Sequence, residues 1–449
     1  MAASLGAQCF LPTEKKHSRM NSRHRNLLFA GLMFIAFAAA WYKVFSRLPD
    51  SLFAGSTQKT PAATSRPVIG GKSPALEAQF VSSNPGQAVH APSLVELNDG
   101  SLRAVWFSGS REGAGDVTVQ TAVLNMPSQR WEPETTLFNR TQLERGLWRY
   151  IKKIGNPVIA RAPDGSLHLW VVNVSLGGWA GSAITWSRSV DEGTSWSPPK
   201  RLVTSPFLNI STLVKGAPVA MADGSISLPA YHEFVSKFAE VLRLNKLGQV
   251  VDKTRIPASR TSLQPVVLAG SATQATAYMR SGQGGRVVTS STLDAGKTWS
   301  LAVAASLLNP DSALAGLTSN KGNQWLALNP TTTGRESLAL FKASSTGSFD
   351  AAQPFFVEGS ALLPSVPLKI LSPAEHADLL GQELKVQGAG DADIASYVAS
   401  AAQQLCGPTA CVREFSYPFL LQTRDGSIHL VYTWHRSRIK HVRLGSAID

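Results

Sequence analysis

The feature that most limits what this chain can fold into is a strand–turn–strand unit that recurs along it, with glycine at each turn. Residues 93–107 read SLVELNDGSLRAVWF, 156–172 read NPVIARAPDGSLHLWVV, 217–228 read APVAMADGSISL and 419–432 read FLLQTRDGSIHLVY. A glycine in a short polar turn between two apolar runs is a strong hairpin signal, because it takes the positive φ that a tight turn needs. Two weaker copies, 265–279 turning at Gly270 and 315–328 turning at Gly322, lie between them. The six turn glycines, 100, 165, 224, 270, 322 and 426, are 65, 59, 46, 52 and 104 residues apart. Intervals near ~40–50 residues, some lengthened by loops, are those of propeller blades. The expectation is an all-β, six-bladed propeller. The long last interval holds a foreign piece: residues 372–405 are rich in Ala, Leu and Gln and read as one or two helices inserted in the last blade, clearest over 391–405. With helix expected only there, an α/β fold is disfavoured.

Composition supports a sizeable core: of 449 residues 43% are hydrophobic and 16% charged, which excludes a mainly disordered chain. Three cysteines exclude a disulfide-built scaffold and a zinc site of four thiolates. The net charge of +13 raises the question of nucleic acid, but +4 of it sits in the first 26 residues (Lys15, Lys16, Arg19, Arg23 and Arg25 against Glu14). The remaining +9 is diffuse, with no dense basic run and no nucleic-acid motif, and an anionic ligand such as an acidic sugar fits it at least as well.

Residues 1–26 read as a basic cytoplasmic tail and 27–45 (LLFAGLMFIAFAAAWYKVF) as a membrane anchor, with Trp41 and Tyr42 at the interface and Lys43 snorkelling. Basic residues before the run put the N-terminus inside and the bulk of the chain in the periplasm or outside the cell. A cleaved signal peptide ending at Ala38-x-Ala40 is the rival reading, and it leads to the same compartment. Residues 46–83 read as a flexible linker and 84–449 as the propeller. In an oxidising compartment Cys406 and Cys411, five residues apart, suit a small disulfide loop; two free thiols is the alternative.

Residues 189–196 (SVDEGTSW) and 292–299 (TLDAGKTW) share the template [ST]-x-D-x-G-x-[ST]-W, 103 residues apart. Asp191 and Asp294 suit the capping of turn amides, Gly193 and Gly296 a positive φ, and Trp196 and Trp299 a plug beside the next strand. Degenerate copies lie at 125–131 and 344–349. These stretches look like Asp boxes, and residues 88–444 resemble the sialidase superfamily, specifically its BNR-repeat-like branch. SGSREGAGDV (108–117), KKIGNPVI (152–159), GGWAGS (177–182), SPFLNISTLVKGAPV (205–219), LPAYHEF (228–234), GRESL (334–338), EFSYP (414–418) and YTWHRSRIKHV (432–442) carry the resemblance.

The resemblance implies a six-bladed propeller and an exo-α-sialidase-like, retaining glycoside hydrolase. Such a site holds a sugar carboxylate with arginines, attacks with a Tyr assisted by a Glu, and uses a carboxylic acid as acid/base. Arg111, Arg280 and Arg335 are then the expected carboxylate-binding arginines and Tyr417 the nucleophile, with Glu414 assisting. Asp116 and Glu233 are the acid/base candidates. Trp179, His232, Tyr231, Lys215 and Asn209 are possible substrate contacts. The run 435–443 (HRSRIKHVR) reads as the polar face of the closing strand. One departure stands out: well-studied sialidases open with an Arg-Ile-Pro motif carrying the first arginine, and none is found here. No metal and no phosphate loop is expected: the His, Asp and Glu spacing matches no metal motif and GxxxxGK is absent. Besides hydrolysis of an acidic glycan, two readings stay open: a polysaccharide lyase in which His232 or Tyr417 removes a proton beside a uronate carboxylate, and a non-catalytic propeller that binds glycan or assists assembly.

Overall fold

The computed structural model describes residues 22–45, 51–55, 77–125, 127–205, 209–344, 348–360 and 370–449. The chain divides into two units, Met1–Leu48 and Pro49–Asp449. The second is a ring of six antiparallel sheets, four of four strands and two of five. Each blade opens with a strand near the axis, and the expected glycine turns join that strand to the second one in all six. At five of these glycines, 100, 165, 224, 322 and 426, φ lies between 80° and 86°. Four turns share one sequence, Asp-Gly-Ser, and one bonding pattern: the carboxylates of Asp99, Asp164, Asp223 and Asp425 accept from the amide and hydroxyl of the Ser two residues on.

Burial follows position in the blade. The innermost strands, such as Ala88–Glu96 and Phe415–Gln422, are buried along nearly their whole length because neighbouring blades cover both faces. The outer strand Val250–Arg255 alternates half-buried and exposed positions, as a sheet edge facing water must. Trp106, Trp170 and Trp434, on second strands, fill the space between blades and are fully buried.

Ring closure moves one expected boundary. Glu77–Phe80 pairs with Arg438–Leu444 as the outer strand of the last blade, so the N-terminal end of the domain staples the C-terminal blade. Phe53 also packs into the ring, 1% exposed and bridged to Met221. The expected linker of 46–83 therefore contributes structure at both 51–55 and 77–83, because Phe53, Phe80 and Val81 supply apolar surface that a polar composition hides. Residues 1–21, 46–50 and 56–76, including all but the last five residues of the expected tail and the rest of the linker, lie outside the described residues.

The expected anchor is a helix, Ser22–Phe45, but its first turn is the polar Ser22-Arg23-His24-Arg25-Asn26. Among the described residues no helix is long and apolar enough to cross a membrane, so the expected span is not supported. The insert forms two helices, Pro373–Val386 and Asp391–Leu405, the first started by a capping box of Ser372 and Glu375. Cys406 and Cys411 form a disulfide behind the second. They come within ligand distance of His376, but both sulfurs are spent on that bond. A further helix, Arg140–Leu147, sits between blades one and two; its eight residues bury only Leu143, leaving no apolar period to read, and an Asn139–Gln142 capping box starts it.

The two Asp boxes join the third and fourth strands of blades two and four. The Asp191 carboxylate accepts from the Ser195 amide (2.9 Å) and hydroxyl (2.6 Å), and Asp294 does the same with Thr298 (2.9 and 2.6 Å). Their carboxylates are thus committed to turns. Of the degenerate copies, Asn125 accepts from the Ser128 amide at 3.0 Å, whereas residues 345–347 lie outside the described ones.

Buried histidines give the fold a pH dependence. His168 accepts from Trp186 Nε1 at 3.1 Å, and His429 pairs with His441 at 2.9 Å. Burial pushes His168 and His429 down to about 4. The folded state disfavours their protonation, so this stability is present above the unfolded value near 6.5 and is lost as pH falls from there towards 4. Each shift amounts to roughly 3 kcal/mol. The denaturant midpoint is expected to drop across that window, less steeply in His429→Gln; a flat profile between pH 7 and 4 would refute the assignment.

Candidate active site

The innermost strands of blades one, two, four and six carry the same device. Ala91, Asn156, Gln264 and Tyr417 each precede a proline and each have positive φ, of 54°, 42°, 49° and 52°. The ladder slips at each of them. Proline cannot donate to the ladder, so a bulge forms there, and the residue before it, which proline ordinarily favours in extended backbone, stands instead in the left-handed region. That conformation costs a non-glycine residue about 1 kcal/mol or more, and its repetition in four blades singles out this centre as the candidate site.

Three of these side chains meet at the centre. Gln264 Nε2 donates to the hydroxyls of Tyr417 (3.2 Å) and Tyr231 (3.5 Å), and Asn156 Nδ2 donates to Tyr231 (3.3 Å). His90, one residue before Ala91, packs on Tyr417 with ring centroids 4.1 Å apart. It is 3% exposed and neither ring nitrogen has a partner. Burial, then Arg436, Arg335, Lys215 and Arg280 around it, hold it well below its usual pKa, so it is neutral. Lys215 is buried beneath, bonded to the Pro418 carbonyl, and burial lowers it to about 7.

An arc of alternating charge runs beside Tyr417. Arg280 donates from Nη1 to Gln264 Oε1 (3.1 Å) and from Nε to Asp311 (2.5 Å). Arg335 donates to the Asp311 carbonyl (3.1 Å) and to Glu414 (3.3 Å). Glu414 also takes Arg436 Nε at 2.9 Å, and Arg436 reaches Glu112 at 3.4 Å. Burial alone would raise the Glu414 carboxyl, but Arg436 and Arg335 outweigh it and hold the group ionised below its ordinary range. Glu233 is the opposite case: burial raises it, and Lys237 and Arg280 only partly offset this. It is the carboxyl at this site best suited to hold a proton.

The sequence-predicted residues divide accordingly. Arg280, Arg335, Glu414, Tyr417, Tyr231, Glu233 and Lys215 converge at this centre. Arg111 is exposed on the loop after the second strand of blade one, and its neighbour Glu112 reaches the cluster instead. Asp116 accepts from the Ser110 amide (2.9 Å) and hydroxyl (3.0 Å) and braces that loop. Glu414 faces two guanidiniums and Ser416 (2.6 Å), whereas the expected helper of Tyr417 would face the phenol. His232 stacks on Phe238 (4.6 Å). Trp179 lies under Lys153, whose Nζ is 4.2 Å from the ring. Asn209 bonds the Thr204 amide (2.8 Å) and the Leu202 carbonyl (2.7 Å), a loop brace. Sequence reading missed Arg436, His90, Gln264, Asp311 and Glu112. The fourfold residue-before-proline pattern was the signal that would have found Gln264 and, one residue away, His90.

A family model described as a BNR repeat-like domain matches residues 100–430. The chain belongs to this family. No curated protein matches it. Among solved structures, a Hadza microbial sialidase is similar over 80% of this chain and 66% of its own, at 16% identity and a TM-score of 0.55. The intramolecular trans-sialidase from Ruminococcus gnavus, solved with oseltamivir carboxylate, is similar over 82% and 95%, at 12% identity and 0.55. A protein of unknown function from Dyadobacter fermentans is similar over 82% and 98%, at 11% identity and 0.57. At such identities the likeness is one of fold: a sialidase-like BNR-repeat propeller.

Proposed function

We propose that this BNR-repeat propeller is a sialidase-type glycoside hydrolase acting on a terminal acidic sugar, outside the cytoplasm. The observation that carries the reading is the arc Arg280–Asp311–Arg335–Glu414–Arg436 beside a buried, strained tyrosine. Guanidiniums set around a phenol suit a carboxylate next to the anomeric carbon, and a phenol can approach that carbon without the repulsion a carboxylate would meet. Attack by the Tyr417 oxygen on the anomeric carbon, its phenol proton passing to water, forms a C–O bond and breaks the glycosidic one, the leaving oxygen taking the Glu233 proton. Water then attacks the same carbon, giving one proton to the Glu233 carboxylate, and the bond to the Tyr417 oxygen breaks, the phenolate regaining its proton from water. The disulfide Cys406–Cys411 supports the oxidising compartment.

A second reading, binding without cleavage, is favoured by one observation. The phenol must give up a proton, and the side chain bonded to the Tyr417 hydroxyl is the amide of Gln264, which cannot accept it. The deciding experiment offers fluorogenic α-ketosides of nonulosonic acids and free acidic oligosaccharides, reading both fluorophore release and ultraviolet absorbance. Release is expected. Absorbance without release would mean a lyase, and silence in both with retained glycan binding would leave the binding propeller.

A further inference from the structure

Blade three breaks its innermost strand in a way of its own. Leu213–Val214 and Val219–Ala220 both pair with Ile226–His232, and residues 215–218 between them leave the ladder. Gly216 passes so close to the Pro265 carbonyl of blade four that a Cβ there would overlap it. The chain lies deep in the ring at this point, and Lys215 is only 3% exposed.

Blades three and six stand opposite each other in the six-bladed ring, and the Lys215 side chain joins them. Its Nζ donates to the Pro418 carbonyl, and it lies 5.9 Å from the centre of the Tyr417 ring and 5.7 Å from that of Phe419. The walls around it are small or apolar: Ala217, Val266, Leu314 and Ala315. The titratable groups that face it are Tyr417 and His90, and His90 is a neutral ring. Among the described residues no carboxylate offsets its burial, which lowers it to about 7. An amine desolvated without a counter-ion lowers stability, so packing does not account for a lysine here. Its position does: the carbonyl it holds belongs to the residue that follows the left-handed Tyr417.

We propose that Lys215 is the positioning residue for Tyr417: from the opposite blade it pins the Tyr417–Pro418 segment in its left-handed conformation and sets a positive charge against the ring as the phenol oxygen attacks. This rests on the reading of Tyr417 as nucleophile. Lys215 acts through Tyr417, not on the sugar, because it is buried on the far side of that ring. Negative charge grows on the phenol oxygen as its proton leaves, and a cation this close in a desolvated setting is worth about tenfold or more in rate. Unlike the guanidiniums of Arg280, Arg335 and Arg436, the amine gives up its charge near neutral pH, which makes its part separable from theirs.

The test measures kcat, KM and melting temperature of the full chain on a fluorogenic α-ketoside of a nonulosonic acid, for wild type, Lys215→Met and Lys215→Arg. Lys215→Met is expected to lower kcat by about tenfold or more below pH 7, with KM within about twofold and no loss of melting temperature. Lys215→Arg keeps a cation for the Pro418 carbonyl and should match wild type at low pH. The amine is charged below about 7 and neutral above it, so the ratio of Lys215→Arg to wild-type kcat should climb about fivefold or more from pH 6 to 8.5. Glu233 also loses its proton as pH rises, but it does so in both proteins and cancels in that ratio. A flat ratio refutes the role, whether or not Lys215→Met folds. So does a Lys215→Met protein that melts lower yet turns over like wild type, since the lysine would then be a brace alone. In either case wild-type release leaves the hydrolase reading standing. If the wild type releases no fluorophore, that reading fails and the role of Lys215 with it.

Discussion

Tyr417→Phe is expected to lower kcat by about a thousandfold or more while substrate binding stays within a few-fold of wild type. The substitution deletes one oxygen. The ring stays wedged against His90 at 4.1 Å, and its strained backbone position before Pro418 is available to Phe as much as to Tyr. The lost hydrogen bond from Gln264 costs about 1 kcal/mol, too little to unfold the domain. Single-turnover rates and KM on a cleaved ketoside, with a melting curve as control, measure the effect. Undiminished turnover would remove Tyr417 from the mechanism. A drop confined to KM would make it a binding residue.

The second large effect is on stability. Glu414 is 7% exposed and serves Arg335, Arg436 and Ser416 at once. Glu414→Gln keeps the volume but removes the charge, leaving two partly buried guanidiniums without their shared counterion. Losing one member of such a cluster costs about 3–5 kcal/mol. The same depressed carboxyl gives a pH signature: its contribution is present above the unfolded value of 4.5 and is lost as pH falls through the lower folded one. Chemical denaturation of wild type and variant at pH 7 measures the difference. A loss under about 1 kcal/mol would mean that the arginines find other partners and that the arc is not held by Glu414.

The six blades were legible because each hairpin turn is a local event. Gly100, Gly165, Gly224, Gly322 and Gly426 adopt positive φ through their own missing Cβ, and Asp-Gly-Ser closes its turn within four residues. The Asp boxes were legible for the same reason. The insert declared itself through helical composition and a capping box. The closing strand Glu77–Phe80 did not, because a four-residue strand exists only by pairing with Arg438–Leu444, more than 350 positions away.

The candidate site divides along the same line. Tyr417, Arg280 and Glu233 were picked out because each stands at a strand end or beside a proline, where the chain itself says a side chain can turn inward, and Arg335 because it follows a glycine in a loop. Arg436 sits in HRSRIKHVR, and alternation there predicts a solvent-facing charge; only a turn strained into positive φ sends it to Glu414. Arg111 and Glu112 are adjacent, so which of them reaches the arc depends on the loop braced by Asp116, a decision no local pattern records. The sequence by itself determined the repeat, the turns and the residue types of the site. The tertiary structure decided which charges meet, because in a propeller the site is assembled from every blade, and contacts between residues hundreds of positions apart leave no periodic trace.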